Sequence, residues 1–329
     1  MYNEKFISII EELSNPLEPI PTGDLPEWAE SRRISSQTSD SRFSAVIFDV
    51  YGTLFVSGSG DIGVTEDIQS SEILGKLVLD AVYKLKETES SAAGYDLSLS
   101  GRVGMLAKKV LFKVIKDTHA ELKSSGIKYP EVDIRTVWRD VIVELAASGI
   151  EGFPREIGDM KRTANINSII DELAVRYECS VNPVWPMPGS VDLIGFLRDK
   201  KVEMGIISNA QFYTPLIFKA LMGSLPDELG FNSKLLFYSY LFGKAKPSTA
   251  MFKSAAEVLE NSFNIPVGSV LYVGNDILND IKPAKDGGFK TALFAGDERS
   301  LRLREDYPEC RNILPEYVIT NLKEIAQLF

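Results

Sequence analysis

The chain has 329 residues, of which 44% are hydrophobic and 25% are charged, as in an ordinary globular protein. Forty-six acidic residues against 36 basic ones give a net charge of -10. This balance disfavours binding to nucleic acid phosphates or to an anionic membrane surface. We therefore expect a small-molecule partner.

The N-terminal sequence MYNEKFISIIEELS has no basic region of the kind that begins a secretory signal. No apolar run reaches the roughly 18–20 residues that cross a membrane. The two cysteines, Cys179 and Cys310, lack the C-x-x-C spacing of a zinc or redox site and are expected to be reduced structural thiols. These features predict a cytoplasmic protein.

Apolar residues first recur at helical spacing between Phe6 and Leu13, and four prolines between Pro16 and Pro26 then prevent a continuous helix. The segment from Ile34 to Ser44 is rich in serine, as expected of a linker. Residues 1–43 are thus predicted to form an N-terminal extension and linker.

The run Ala45–Phe48 is short, apolar and β-branched, which predicts a strand buried on both faces of a parallel sheet. Asp49 follows it, at the end where open α/β sheets bind ligands. Similar strands are predicted at Glu203–Ile207, Val270–Val273 and Thr291–Phe294, and a helix at Met251–Leu259. Residues 44–58 and 186–329 are therefore predicted to form a doubly wound, mostly parallel, Rossmann-like α/β core.

Between Ser70 and Tyr177 the hydrophobic period changes to 3.6, which predicts an all-helical insertion over residues 59–185. One helix is expected to begin at Asp133 as its N-cap. Its apolar face comprises Ile134, Val137, Trp138, Val141, Ile142 and Leu145. Trp138 is accordingly expected to pack in a core.

The segment Phe48–Leu54, FDVYGTL, resembles the first motif of the haloacid dehalogenase superfamily. The resemblance implies that Asp49 is the nucleophile and that Thr53 belongs to the site. The segment Gly205–Asn209, GIISN, resembles the second motif, which implies that Ser208 and Asn209 bind the oxyanion of the group under attack. The helical insertion resembles the cap of that superfamily.

Lys246, in GKAKPSTAMF, resembles the lysine of the third motif, which would keep Asp49 ionised. The segment VLYVGNDILNDIKPAKDGG resembles the fourth motif, an acidic pair after a strand. Asp276 and Asp280 match the shorter spacing of that pair, whereas the longer spacing places Asn275 at the first acidic position. Both alignments remain open.

Phosphatases of the superfamily carry a second aspartate two residues after the nucleophile, where this chain has Tyr51. A tyrosine there resembles the 2-haloacid dehalogenases, whose halide leaves without a proton. The fourth motif instead favours Mg²⁺, which prefers oxygen ligands. If a metal binds, the resemblance implies ligands from Asp49, the main-chain carbonyl of Tyr51 and Asp276.

Three functions follow from the resemblance. The first is a dehalogenase-like hydrolase that acts on a small anionic substrate through an aspartyl ester, with Tyr51 at the substrate. The second is a Mg²⁺-dependent phosphatase, and the third is a non-catalytic binding protein. Candidates for a cation that holds a substrate carboxylate are Arg102, Arg135 and Arg139, while His119 is expected at the surface and the loop Ser57–Gly63 as a flap or hinge.

Overall fold

The computed structural model describes residues 2–34, 43–59, 68–85, 97–155 and 166–329. The chain divides into two compact units. One consists of Met1–Leu13 and Gly63–Val181, and the other of Ser14–Ile62 and Asn182–Phe329. The segment 1–43, predicted as a single N-terminal extension, is thus shared between the two units.

The described helices are α1 (Tyr2–Leu13), α2 (Glu27–Glu30), α3 (Ile68–Leu85), α4 (Leu97–Ser124), α5 (Ile134–Ala147), α6 (Ile166–Val181), α7 (Ser190–Asp199), α8 (Thr214–Met222), α9 (Pro226–Leu229), α10 (Ser239–Phe242), α11 (Ala250–Phe263) and α12 (Lys282–Asp286). The described strands are β1 (Ala45–Phe48), β2 (Phe55–Ser57), β3 (Val184–Pro186), β4 (Glu203–Ser208), β5 (Phe231–Tyr238), β6 (Val270–Gly274), β7 (Lys290–Phe294) and β8 (Tyr317–Ile319). Short 3-10 turns occur at Val267–Ser269, Pro308–Cys310 and Leu322–Leu328, and a π-helical turn at Ile277–Ile281.

The second unit contains a six-stranded sheet in the order β5-β4-β1-β6-β7-β8, with every neighbouring pair parallel. The predicted α/β core is therefore confirmed, as are its four predicted strands. Two further strands, β5 and β8, were not predicted. The polar residues within Phe231–Tyr238 interrupt any regular alternation, and β8 has only three residues.

Strand β1 lies at the centre of the sheet and is completely buried. Its residues pair with β4 on one side and with β6 on the other. Since parallel strands end at the same edge, this order brings together the residues that follow β1, β4 and β6. The first, second and fourth motifs are therefore neighbours.

Two core clusters cover the sheet. One packs α11 against β1, β4, β5 and β6 and includes Met251, Phe252 and Tyr272. The other packs α2 and the π-helical turn against β7 and β8 and includes the free thiol of Cys310. Both clusters consist mainly of fully buried aliphatic and aromatic side chains, so hydrophobic burial holds the layers together.

Residues that precede β1 also belong to this unit. The main-chain N–H of Ile20 donates to Asp297 Oδ1 at 2.9 Å, and Thr22 Oγ1 donates to the main-chain oxygen of Ala295 at 2.6 Å. Arg33 forms a parallel bridge with Val318 of β8. The predicted linker from Ile34 to Ser44 lies largely outside the described residues.

Strands β2 and β3 form a separate antiparallel ribbon. Ser57 Oγ donates to Asn182 Oδ1 at 2.8 Å beside this ribbon. Helices α3 to α6 lie in the chain between the two strands of this ribbon. Of the predicted flap Ser57–Gly63, residues 60–63 lie outside the described part of the chain.

The helical unit contains α1 and α3 to α6. Asp133 caps α5 as predicted, because its side chain accepts a hydrogen bond from the N–H of Arg135. Trp138 is completely buried and meets Tyr177 edge to face, with ring centroids 5.1 Å apart, so its predicted core role is confirmed. Among the described helices, none has both the length and the apolar character that a membrane span requires.

Helix α1 is held to α6 by apolar packing and by charge. Phe6, Ile9 and Ile10 are buried. The carboxylate of Glu172 on α6 is only 4% exposed, and it contacts Lys5, Lys84 and Arg176, each at 2.9 Å.

Candidate active site

A tight turn follows β1 and carries the first motif. The N–H of Asp49 donates to the main-chain oxygen of Val273 at 2.9 Å, which ties the turn to β6. Gly52 has φ +78°, and a Cβ there would lie 2.6 Å from Ser300 Cβ and 2.7 Å from Asn275 Nδ2. Only glycine fits this position without displacement of its neighbours.

Lys246 joins the nucleophile candidate to the fourth motif. Its Nζ lies 2.7 Å from Asp49 Oδ1 and 2.5 Å from Asp280 Oδ1. The three side chains are at most 9% exposed. Burial by itself lowers the pKa of the Lys246 ammonium, but the charges of Asp280 and Asp49 outweigh that effect and raise this pKa. Lys246 is therefore positively charged at neutral pH.

The carboxylate of Asp280 is fully engaged beneath the end of β6. Its Oδ2 accepts from the N–H groups of Asn275 and Asp276, each at 3.0 Å, and its Oδ1 faces Lys246. Burial raises the pKa of this carboxyl to about 6, aided by the negative charges of Asp49 and Asp276 and opposed by Lys246. Asp280 thus holds both the ammonium of Lys246 and the main chain at the end of β6 in place.

Tyr272 is a site residue that the sequence analysis did not predict. Its hydroxyl lies 3.3 Å from Lys246 Nζ, 2.9 Å from Asp280 Oδ1 and 3.1 Å from the main-chain oxygen of Ile207. Burial and the charges of Asp280 and Asp49 raise the pKa of Tyr272 well above its ordinary value, so the hydroxyl is neutral. A tyrosine inside the apolar run VLYVG was the available sequence signal.

Asn275 and Asp276, the two alternatives for the first acidic position, face different partners. Asn275 Oδ1 accepts from Thr53 Oγ1 of the first motif at 3.1 Å. Asp276 instead caps the following turn, since its Oδ1 accepts from the N–H groups of Leu278 and Asn279. Its carboxylate also forms an ion pair with Arg304, with Oδ2 2.6 Å from the guanidinium. The residue in contact with the first motif is therefore the neutral Asn275.

The second motif lies beside Lys246. Asn209 Oδ1 accepts from the N–H of Lys246 at 2.7 Å, so the asparagine side chain holds the lysine main chain. Ser208, which precedes it, is 1% exposed. The hydroxyl of Tyr51 lies 2.9 Å from Thr214 Oγ1, at the start of α8.

The predicted arginine and histidine candidates lie in the helical unit. Arg135 Nη2 lies 2.6 Å from Asp133 Oδ2, Arg139 donates to Asn167 and Arg102 to Ser98. His119 is partly buried, and burial together with the charge of Lys123 lowers its pKa.

The donor set for Mg²⁺ is a poor fit in this arrangement. Of the two predicted carboxylate ligands, Asp49 is held by Lys246 and Asp276 by Arg304. Within the described residues, no group of three or more His, Cys, Asp or Glu side chains is arranged to hold a metal. The oxygen of Asn275 that faces the first motif is occupied by Thr53.

A six-stranded parallel sheet with helices inserted in the chain, and an Asp–Lys–Asp cluster at its strand ends, defines the class of protein: a Rossmann-like α/β protein with a candidate carboxylate nucleophile. The family model described as haloacid dehalogenase-like hydrolase matches residues 43–288. The chain belongs to that family and is a hydrolase, as the motifs predicted.

Solved structures resemble this chain at low sequence identity. The 2-haloacid dehalogenase from Pseudomonas syringae pv. Tomato DC3000 is 17% identical, with 87% of this chain and 97% of that chain covered and a TM-score of 0.51. The putative HAD-hydrolase YfnB from Bacillus subtilis, bound to magnesium, is 18% identical, with coverages of 86% and 97% and a TM-score of 0.42. A HAD phosphatase from Thermococcus onnurineus is 17% identical, with coverages of 87% and 97% and a TM-score of 0.42. No curated protein matches the chain at a significant level.

Proposed function

We propose that this hydrolase cleaves a carbon–leaving-group bond in a small organic acid through a covalent ester on Asp49, without a metal ion. The observation that carries the proposal is the contact between Lys246 Nζ and Asp49 Oδ1. The positive charge of the lysine attracts the carboxylate and holds its Oδ1 in place. The other oxygen, Oδ2, accepts no hydrogen bond from the described residues and is the atom that attacks.

The reaction has two steps. In the first, Asp49 Oδ2 forms a bond to the substrate carbon, and the leaving group departs from that carbon with its electron pair. In the second step, water adds to the side-chain carboxyl carbon of Asp49 in the ester. The ester bond breaks, the product leaves as an alcohol, and a proton is released as the carboxylate is restored. Lys246 stabilises the carboxylate before the attack and the oxyanion that develops on Asp49 when water adds to the ester.

Tyr51 stands where phosphatases of the superfamily have an aspartate, which favours a leaving group that needs no proton. An alkoxide leaves a phosphate ester readily only with a general acid, and such an acid contributes about 10²–10⁴-fold. In this chain a phenol occupies the position of the second carboxylate, and its hydroxyl hydrogen bonds with Thr214 Oγ1. A halide, by contrast, departs as a stable anion.

The fourth motif supports the same conclusion. Phosphoryl transfer relies on a cation to neutralise the transferred group, and Mg²⁺ usually binds through one or two carboxylates. Here the carboxylate of Asp276 forms an ion pair with Arg304, and Asn275 faces the first motif. We therefore assign no step to a metal.

Activity assays with 2-haloacids and with a panel of phosphate monoesters, each with Mg²⁺ and with EDTA, test the substrate class. We expect halide release from a haloacid that EDTA does not reduce. Hydrolysis of phosphate esters that depends on Mg²⁺ would support a phosphatase and contradict the proposal, and activity on neither class would favour a binding protein.

A single turnover in oxygen-18 water tests the covalent step. With enzyme in excess, we expect the label in the Asp49 peptide and not in the product alcohol, since water attacks the carboxyl carbon of the ester. The Asp49→Asn variant should be inactive, whereas Asp306→Asn, at an exposed position, is the matched control and should label normally. Direct entry of the label into the product would contradict an ester intermediate.

A further inference from the structure

Arg304 is held in an unusual conformation beside the fourth motif. Its φ is +54°, in the left-handed region that residues other than glycine rarely adopt. Its side chain is only 18% exposed, and its guanidinium carbon lies 5.4 Å from the ring centre of Tyr307. Backbone strain of this kind persists only where the surrounding structure enforces it.

The segment that carries Arg304 runs alongside the fourth motif. Arg302 forms a parallel bridge with Asp276, in which the N–H of Arg302 donates to the main-chain oxygen of Asn275 at 2.9 Å. The main-chain oxygen of Ser300, on the same segment, accepts a hydrogen bond from Asn275 Nδ2 at 2.6 Å. One segment therefore orients both Asn275 and the partner of Asp276.

The ion pair uses both oxygens of Asp276. Arg304 Nε lies 3.2 Å from each of them, and Nη2 lies 2.6 Å from Oδ2. A planar guanidinium that meets a carboxylate in this way forms the stronger, directional kind of ion pair. A divalent cation would have to compete for these oxygens with the guanidinium and with the two N–H groups that donate to Oδ1.

We propose that Arg304 is a positioning residue that supplies the counter-ion of Asp276, so that the fourth motif excludes divalent cations and Asn275 stays oriented toward Thr53. This proposal rests on the proposed metal-free function. It assigns to Arg304 the electrostatic task that a bound cation would otherwise perform beside this strand end. The guanidinium is part of the chain, so the charge is present in every molecule.

Binding of Mn²⁺, measured from the free-ion signal in electron paramagnetic resonance, tests the proposal without reference to activity. The full-length chain is compared with Arg304→Gln, with Arg304→Lys and with the double variant Arg304→Gln/Asp276→Asn. We expect no Mn²⁺ binding by the wild type or by Arg304→Lys. Arg304→Gln should bind Mn²⁺, Mg²⁺ should displace it, and the double variant should lose it.

Steady-state kinetics provide the second measurement. Arg304→Gln should lower kcat about tenfold and change KM little, because it displaces Asn275 without removal of a substrate contact. Circular dichroism shows whether Arg304→Gln folds. If it does not, Asp276→Asn replaces it as the test, because asparagine can still cap the following turn but carries no charge to pair with Arg304. This variant should show the same loss of kcat. Mn²⁺ binding by the wild type that Asp276→Asn abolishes would overturn the proposal, as would unchanged kcat in both Arg304→Gln and Asp276→Asn.

The oxygen-18 experiment separates this inference from the proposed function. If no label enters Asp49 but Arg304→Gln gains Mn²⁺ binding, the covalent mechanism fails and the role of Arg304 stands. If the label enters Asp49 but Arg304→Gln gains no Mn²⁺ binding and keeps wild-type kcat, the reverse holds.

Discussion

The side-chain amide of Asn209 forms two hydrogen bonds with the main chain of Lys246. Asn209 Oδ1 accepts from the N–H of Lys246 at 2.7 Å, and Asn209 Nδ2 donates to its main-chain oxygen at 3.3 Å. These residues belong to the second and third motifs and are 37 positions apart in the chain. The asparagine therefore sets where the ammonium of Lys246 is presented to Asp49.

Replacement of Asn209 by alanine should reduce turnover. Loss of both hydrogen bonds frees the Lys246 main chain, and a displacement of about 1 Å in such a site reduces the rate by about 10²-fold. We expect kcat to fall about 10- to 100-fold. The control is Asn261→Ala at an exposed position on α11, for which equal loss would contradict the argument.

The hydroxyl of Tyr272 should matter both for stability and for rate. Tyr272→Phe removes its contacts with Lys246 and Asp280 and leaves the main-chain oxygen of Ile207 without this donor. Loss of such a buried partner costs about 1–3 kcal/mol. We expect a lower free energy of unfolding in urea and a several-fold lower kcat.

Tyr238→Phe is the matched control for that substitution. Tyr238 is also buried, but its hydroxyl has no hydrogen-bond partner among the described residues. Deletion of an unsatisfied hydroxyl should leave stability unchanged or raise it slightly. If both variants lose equal stability, the network around Tyr272 does not account for the effect.

The pH profile should have an acidic limb near pH 6. Burial raises the pKa of Asp280 to about 6, so protonation below that pH breaks its ion pair with Lys246. We expect kcat/KM to be constant above this pH and to fall about tenfold per pH unit below it. Asp280→Asn should lack the limb, and its persistence would assign the limb to another group.

The fall of kcat/KM below pH 6 should occur without unfolding of the protein. Because the pKa of Asp280 is raised above its ordinary value of 3.8, the folded state takes up the proton before the unfolded state does. Protonation of this group therefore stabilises the fold between the two pKa values. Circular dichroism should stay constant across the limb.

Glu172 should show the opposite dependence. Burial opposes ionisation, but hydrogen bonds from Lys5, Lys84 and Arg176 lower the pKa of Glu172 from 4.5 to about 2. Its contribution to stability is complete above pH 4.5 and is lost as the pH falls toward 2. Urea unfolding at several pH values measures this loss.

Glu172→Gln should remove that pH dependence and destabilise the helical unit by about 1–3 kcal/mol at neutral pH, since its cations are themselves partly exposed. The control is Glu144→Gln, whose pair with Lys113 is exposed. We expect that substitution to leave the free energy of unfolding nearly unchanged. A similar effect of both substitutions would argue against the buried cluster.

Two glycines allow α3 and α4 to approach closely. A Cβ at Gly75 would collide with the main-chain oxygen of Ser100, and one at Gly104 with that of Ser71. Alanine at either position should therefore destabilise the protein by about 1–3 kcal/mol or more. Gly101 on α4 has open space around it, so Gly101→Ala should instead stabilise by about 0.5–1 kcal/mol. Thermal unfolding of the three variants distinguishes helix propensity from close packing.

Much of the architecture followed from local patterns. The apolar run before Asp49 predicted a strand buried on both faces of a parallel sheet, and the 3.6-residue period around Trp138 predicted a helix that packs in a core, with Asp133 as its cap. Such patterns are reliable because alternation and helical spacing reflect which side of an element is buried. The motifs likewise identified the family, which the match over residues 43–288 shows.

The tertiary structure decided which neighbours those residues meet. Asn275 and Asp276 are adjacent in sequence, yet one faces Thr53 and the other Arg304. Motif spacing left both alignments open, because the direction of each side chain depends on pairing with Ser300–Arg304, more than 20 residues further along. The sequence by itself determined the fold, the family and Asp49 as nucleophile candidate. Long-range pairing decided that Asp49 pairs with Lys246 and Asp276 with Arg304. The choice between metal-free and metal-dependent chemistry depends on these pairs.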